Sequence, residues 1–147
     1  MDEIKNLHVL LAEDNPLAVL GLRLLVVNLG HQVVGVARTG HEAVQQAKLH
    51  TPDLILMDIK MPGMDGIEAT RLIMKERPTP VILVTAYGDE QTIRQGKQAG
   101  AVAYLSKPVS EHELRSAIQT AYRDSRSARQ DQKSGVRNRK TGSSASV

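Results

Sequence analysis

Short apolar runs alternate along the chain with longer stretches in which apolar side chains recur every three or four residues. The runs are Val9–Ala12, Val33–Ala37, Leu54–Met57, Val81–Val84 and Val102–Leu105. Each has the length of a strand, and the continuous run Leu54–Met57 reads as a strand buried on both faces. Helical period fills the intervals: Pro16 to Leu29, Gly40 to Leu49, Ile67 to Glu76, Asp89 to Ala99, and Ser110 to about Tyr122. In the first of these, Leu17, Leu20, Leu24 and Val27 fall on one face. Asn15 or Asp14 can cap it, Pro16 suits its first turn, and Gly30 stops it. Ala43, Val44 and Ala47 point inward from the second helix, and Asp65 is placed to cap the third. Ser110 and Glu113 form a capping box that opens the fifth. Strand followed by helix, five times over, predicts an α/β fold: a (βα)5 doubly wound, five-stranded parallel sheet with helices on both faces. With right-handed crossovers the strand order is 2-1-3-4-5.

Composition changes this picture in three places. The chain has 147 residues and a hydrophobic share of 41%, which suits one domain with a core of its own. There is no Phe, Trp or Cys, so the core is aliphatic, and disulfides, thiolate metal sites and a cysteine nucleophile are excluded. The three aromatic residues are Tyr87, Tyr104 and Tyr122, too few for a base-stacking surface. The charge is uneven. Residues 1–122 carry 12 basic and 14 acidic side chains, a net of −2, and residues 123–147 carry 7 and 2, a net of +5, making the overall +3. Apolar periodicity stops near Arg126, so residues 1–124 are read as the folded domain. Residues 125–147 are read as a basic tail expected to be disordered. No run has the length of a membrane span and no signal peptide precedes the first strand, so a cytoplasmic protein is expected.

The polar residues of interest all close strands. Glu13 and Asp14 end the first, Asp58 the third, Thr85 the fourth, and Lys107 follows the fifth. In an open parallel sheet the carboxyl ends of the strands form one edge, and the switch point between strands one and three is the place for a ligand. Three carboxylates gathered there repel one another unless a hard cation neutralises them, and an oxygen-only donor set suits Mg²⁺. A carboxylate can also attack a phosphoryl group to form an aspartyl phosphate, with a lysine and Mg²⁺ neutralising the equatorial oxygens. Taken singly, each residue has a plainer reading. Asp14 could cap a helix, Thr85 could close a strand, Lys107 could be a surface lysine, and Tyr104 could pack on the sheet edge. The five histidines, at 8, 31, 41, 50 and 112, lack metal-ligand spacing.

Four segments carry a family resemblance. Asp58-Ile59-Lys60-Met61-Pro62-Gly63-Met64-Asp65-Gly66 resembles the phosphoacceptor motif of response-regulator receiver domains. Leu10-Leu11-Ala12-Glu13-Asp14-Asn15 resembles their acidic pair, Val84-Thr85-Ala86 their switch hydroxyl, and Gly100 to Pro108 their lysine motif. They stand in order across residues 7–122. The resemblance implies a flavodoxin-like fold in which Asp58 accepts a phosphoryl group from a sensor histidine kinase or phosphotransfer protein. It implies Mg²⁺ held by Asp14, Asp58 and the backbone carbonyl of Lys60, with Glu13 acting through water. It implies Lys107 on a phosphoryl oxygen, a cis Lys107–Pro108 bond, and a switch in which Thr85 and Tyr104 move together. Lys60 and Tyr87 occupy positions that tune slow autodephosphorylation in the family. No classical enzyme activity is implied beyond the chain's own phosphorylation and dephosphorylation.

The output is less legible. The 25 residues after Tyr122 cannot build a second core, so a single-domain regulator, or one lacking its output module, is expected. Residues 52–69 and 101–105 look like receivers of transcription antiterminators, whose RNA-binding helices are missing here. Three readings stand: a stand-alone receiver acting on an unknown downstream protein, as a monomer or weak homodimer; a regulator whose basic tail contacts nucleic acid weakly; and a hydrolase of small phosphoesters. The last would need a cap insertion between strands, and none is present.

Overall fold

The computed structural model describes residues 4–86 and 88–123. Strands β1 (His8–Ala12), β2 (Gln32–Ala37), β3 (Leu54–Met57), β4 (Val81–Thr85) and β5 (Ala103–Ser106) form one parallel sheet in the order β2-β1-β3-β4-β5. Helices α1 (Pro16–Asn28), α2 (Gly40–His50), α3 (Gly66–Glu76) and α4 (Glu90–Ala99) connect them, and α5 is helical over 111–123. The expected order and class are met. Among the described residues no helix is long and apolar enough to cross a membrane.

Alternation along the strands sends successive side chains to opposite faces. Leu10, Ala12, Ile55, Met57 and Leu83 pack with Ala43, Ala47, Ile67, Ile73 and Ala99 of α2, α3 and α4. Val9, Leu11, Leu54, Leu56, Ile82 and Val84 pack with Val19, Leu22 and Val26 of α1 and Leu114 and Ile118 of α5. The three central strands are buried at every position except His8, because helices cover both of their faces.

Helix α1 departs from the amphipathic pattern. Val19, Leu22 and Val26 turn inward, while Leu17, Leu20, Leu24 and Val27 face outward. Both stripes are apolar and both follow helical spacing, so period alone does not decide which one packs. The caps agree with expectation and resolve an ambiguity. Asn15, not Asp14, caps α1, accepting from the N–H groups of Leu17 (2.9 Å) and Ala18 (3.1 Å). Asp65 caps α3 through Glu68 N–H at 2.9 Å. Ser110 and Glu113 complete their box at 3.0 and 3.1 Å. Strand β2 carries an irregularity: Val9 pairs with Val33 but Leu10 pairs with Gly35, which leaves Val34 as an extra residue.

His31 sits at the opposite edge of the sheet from the strand ends of interest. It is buried, and its Nδ1 accepts a hydrogen bond from Leu7 N–H at 3.1 Å. Burial holds its imidazole below the ordinary 6.5. The unfolded chain therefore takes up a proton that the folded one refuses. Stability contributed here is present above about pH 6.5 and is lost as pH falls toward the lower folded value. Urea midpoints measured from about pH 5 to 8 should fall on the acid side in the parent chain. That acid-side slope should flatten in His31→Gln; an unchanged slope would contradict a neutral buried imidazole.

Candidate functional site

The sheet order brings the ends of β1 and β3 side by side. Asp58 N–H donates to the Ala12 carbonyl at 2.9 Å, which holds the phosphoacceptor candidate against the residue before Glu13. Glu13, Asp14 and Asp58 each present a carboxylate oxygen within 4.8 Å of the others. Glu13 and Asp58 are buried, whereas Asp14 is exposed. Because Asn15 supplies the helix cap, the Asp14 carboxylate is not tied up in capping α1. The Asn15 backbone N–H instead donates to Glu13 Oε2 at 3.0 Å.

Lys107 reaches across from the loop after β5. Its Nζ lies 2.5 Å from Glu13 Oε1 and 3.4 Å from Asp58 Oδ2. The ammonium thus sits between two carboxylates, nearer the one on β1. Burial pushes the Glu13 carboxyl up; the hydrogen bonds from Lys107 and Asn15 oppose this, the Asp58 charge adds to it, and the net result is a raised pKa. Burial works against the charged form of Lys107, but its bond to Glu13 and the negative charges around it outweigh that. Its pKa stands above the ordinary lysine value. Lys107 thus contacts two of the three clustered carboxylates. The oxygen-only donor set fits Mg²⁺.

The loop from Asp58 to Gly66 closes on itself. Ile59 N–H donates to Asp58 Oδ1 at 2.8 Å, fixing that oxygen, and Gly66 N–H donates to the Ile59 carbonyl at 2.7 Å. A Cβ on Gly66 would overlap the Asp58 carbonyl oxygen, and one on Gly40 would overlap the carbonyl of Met64 in the same loop. Both glycines shape the site by having no side chain. In the sequence Gly40 opens a helical stretch and Gly66 ends the phosphoacceptor-like segment, and nothing local marks their close contacts. Lys60 is exposed, two residues beyond Asp58.

Thr85 is fully buried at the end of β4, and its carbonyl accepts from Lys107 N–H at 3.0 Å. That bond ties the hydroxyl-bearing strand end to the lysine loop, and the Lys107–Pro108 peptide is cis, as expected. Tyr104 is half-buried and packs against the α2–α4 core, paired in register with Leu83. Its ring lies over Gly88, where a Cβ would overlap the tyrosine Oη. Tyr87 and the basic tail fall outside the described residues.

The chain and its fold have counterparts among known proteins. Residues 9–119 match the family model of the response regulator receiver domain. PdtaR, a transcriptional regulatory protein of Mycobacterium tuberculosis, is 42% identical over 114 residues, covering 78% of this chain and 56% of that protein. PilH of Pseudomonas aeruginosa is 40% identical over 114 residues, covering 76% of this chain and 93% of that protein. A chain of the CheX–CheY–BeF3–Mg complex from Borrelia burgdorferi superposes with a TM-score of 0.76 at 28% identity, covering 80% of this chain and 90% of that one. The chain belongs to the response-regulator receiver family of two-component systems. It spans little more than half the length of PdtaR, while it matches nearly all of PilH.

Proposed function

We propose that this receiver takes a phosphoryl group onto Asp58 from a phosphohistidine of a sensor kinase or phosphotransfer protein, and that the modified domain changes its partner binding. The observation that carries this is the placement of Asp58 beside Glu13, Asp14 and Lys107 at the edge shared by β1 and β3. Asp58 Oδ1 is held by Ile59 N–H, and Oδ2 lies on the Lys107 side. In the transfer a carboxylate oxygen forms the new P–O bond as the P–N bond of phosphohistidine breaks, and the bonding pair leaves with the imidazole. Glu13, Asp14, Asp58 and the Lys60 carbonyl would hold Mg²⁺, which when bound neutralises charge on the transferring oxygens. Lys107 can turn from Glu13 toward a phosphoryl oxygen, since its Nζ already lies within 3.4 Å of Asp58. Thr85 reads the phosphoryl group with its hydroxyl, and Tyr104 follows it, altering the surface formed by α4, β5 and α5. The downstream partner is a protein that distinguishes these two surfaces, and the setting is the cytoplasm.

The test is intact mass after incubation with acetyl phosphate. A single, Mg²⁺-dependent, base-labile phosphoryl adduct is expected, with a matching beryllofluoride complex that shifts the Tyr104 ring resonances. Failure of both the adduct and the complex would remove the reading.

A further inference from the structure

Four backbone hydrogen bonds close a ring through the carboxyl ends of β1, β2 and β3. Glu13 N–H donates to the Ala37 carbonyl at 2.8 Å, and Asp58 N–H donates to the Ala12 carbonyl at 2.9 Å. Gly66 N–H donates to the Ile59 carbonyl at 2.7 Å, and Gly40 N–H donates to the Met64 carbonyl at 3.1 Å. Arg38 and Thr39 join Ala37 to Gly40, and Asp65 joins Met64 to Gly66, so the circuit is complete. Three of these bonds join neighbouring strands or lie within one loop. The bond from Gly40 does neither. Strands β2 and β3 flank β1, and this bond links the turn after β2 to the loop after β3.

We propose that Gly40 is a positioning residue for Mg²⁺: its N–H holds the loop carrying Asp58 and the Lys60 carbonyl in place against Glu13 and Asp14. The inference rests on the reading above, in which those groups hold the metal. They come from two separate segments, and a cation gathers both only if the segments keep a fixed spacing. The Gly40 amide lies in the first turn of α2, where a helix leaves N–H groups without an internal partner, so it can serve the loop. The turn that presents it is itself fixed. Thr39 Oγ1 accepts from Glu42 N–H at 3.1 Å, and Glu42 Oε1 accepts from Arg38 N–H at 2.8 Å. Gly40 is buried, and a Cβ there would overlap the carbonyl carbon and oxygen of Met64. Its backbone is not left-handed, so helix α2 by itself would accept alanine. The demand for glycine comes from the loop. Groups that orient metal ligands without touching the metal typically change its affinity by about 10- to 100-fold. Gly40 acts on Met64, beyond Lys60 in the same loop, so the lower end of that range is expected.

Titration of the full chain with Mg²⁺, followed by amide NMR shifts, reads the affinity without any phosphoryl transfer. Gly40→Ala should raise the Mg²⁺ dissociation constant about 10-fold. Gly100→Ala separates positioning from general destabilisation. Gly100 ends α4 with φ +117° at the other edge of the sheet, and a Cβ there would crowd Met74. That variant should lose thermal stability and bind Mg²⁺ with the parent's affinity. A second measurement uses the parent chain alone and stands even if Gly40→Ala does not fold. Coupling is reciprocal, so a hydrogen bond that favours the metal is itself favoured by it. Hydrogen exchange of the Gly40 amide should therefore slow by about the same factor of 10 at saturating Mg²⁺. A Gly40→Ala chain with parental affinity, a Gly100→Ala chain that loses as much, or a Gly40 amide whose exchange ignores Mg²⁺ would each overturn the proposal and leave the metal site standing. A parent chain that binds no Mg²⁺ would overturn both.

Discussion

Asp58→Asn should abolish the phosphoryl adduct completely while leaving the fold intact. The amide is nearly isosteric with the carboxylate, and its oxygen can still accept the Ile59 N–H that now goes to Oδ1. What it lacks is the charged oxygen that forms the P–O bond. Losing that charge also relieves Glu13, whose carboxyl is pushed up by burial and further by the neighbouring Asp58. Against this, Lys107 loses its contact to Asp58 Oδ2, a 3.4 Å interaction much weaker than its 2.5 Å bond to Glu13. The thermal midpoint in metal-free buffer should therefore be equal to or slightly above that of the parent chain. Mg²⁺ should stabilise the variant less, because one of three clustered carboxylates has become a neutral amide. Intact mass and thermal melts with and without Mg²⁺ read these outcomes together. A phosphoryl adduct of parental size in the variant would move the acceptor elsewhere and leave Asp58 as a metal ligand at most.

The legible parts of the fold and site share one physical cause. In a parallel sheet every strand ends at the same edge, so Glu13, Asp14, Asp58, Thr85 and Lys107 could be gathered from their positions relative to apolar runs alone. The caps at Asp65 and Ser110 were legible because their hydrogen bonds are local, spanning three residues. Features that depend on distant neighbours were not. The inward face of α1 was ambiguous because two apolar stripes run along a helix with a single charge, and only packing against β1 and α5 separates them. The extra residue Val34 in β2 has no local mark, since a valine in a run of valines fits either register. Gly40 and Gly66 lie under backbone from other segments, a demand that arises only once the loop after Asp58 is folded. The preference of Lys107 for Glu13 over Asp58 is likewise a matter of placement, since the sequence offers the lysine three carboxylates without ranking them.

That preference leads to the second large effect. Lys107→Met should destabilise the metal-free protein by about 2 kcal/mol near neutral pH, through loss of the hydrogen bond and counter-charge of the buried Glu13. The magnitude is kept below that of a fully buried pair because the lysine side chain is 24% exposed. For a domain of this size the thermal midpoint should drop by about 8 °C. The pH dependence has a definite sign. The folded-state pKa of Glu13 is already raised, so the folded chain holds a proton that the unfolded chain releases, and this term reduces stability as pH rises above about 4.5. Removing the lysine raises that carboxyl further. The penalty of the substitution should thus be small in acid, where Glu13 is protonated, and grow toward neutrality. Mg²⁺ should then stabilise Lys107→Met more than the parent chain, since the metal no longer shares Glu13 and Asp58 with a resident ammonium. The same variant should accept a phosphoryl group more slowly, because the cation nearest Asp58 Oδ2 is gone. Thermal melts at several pH values and Mg²⁺ concentrations decide the matter. A variant as stable as the parent without metal, or one that gains less from Mg²⁺, would show that Lys107 does not hold these carboxylates together in the resting state.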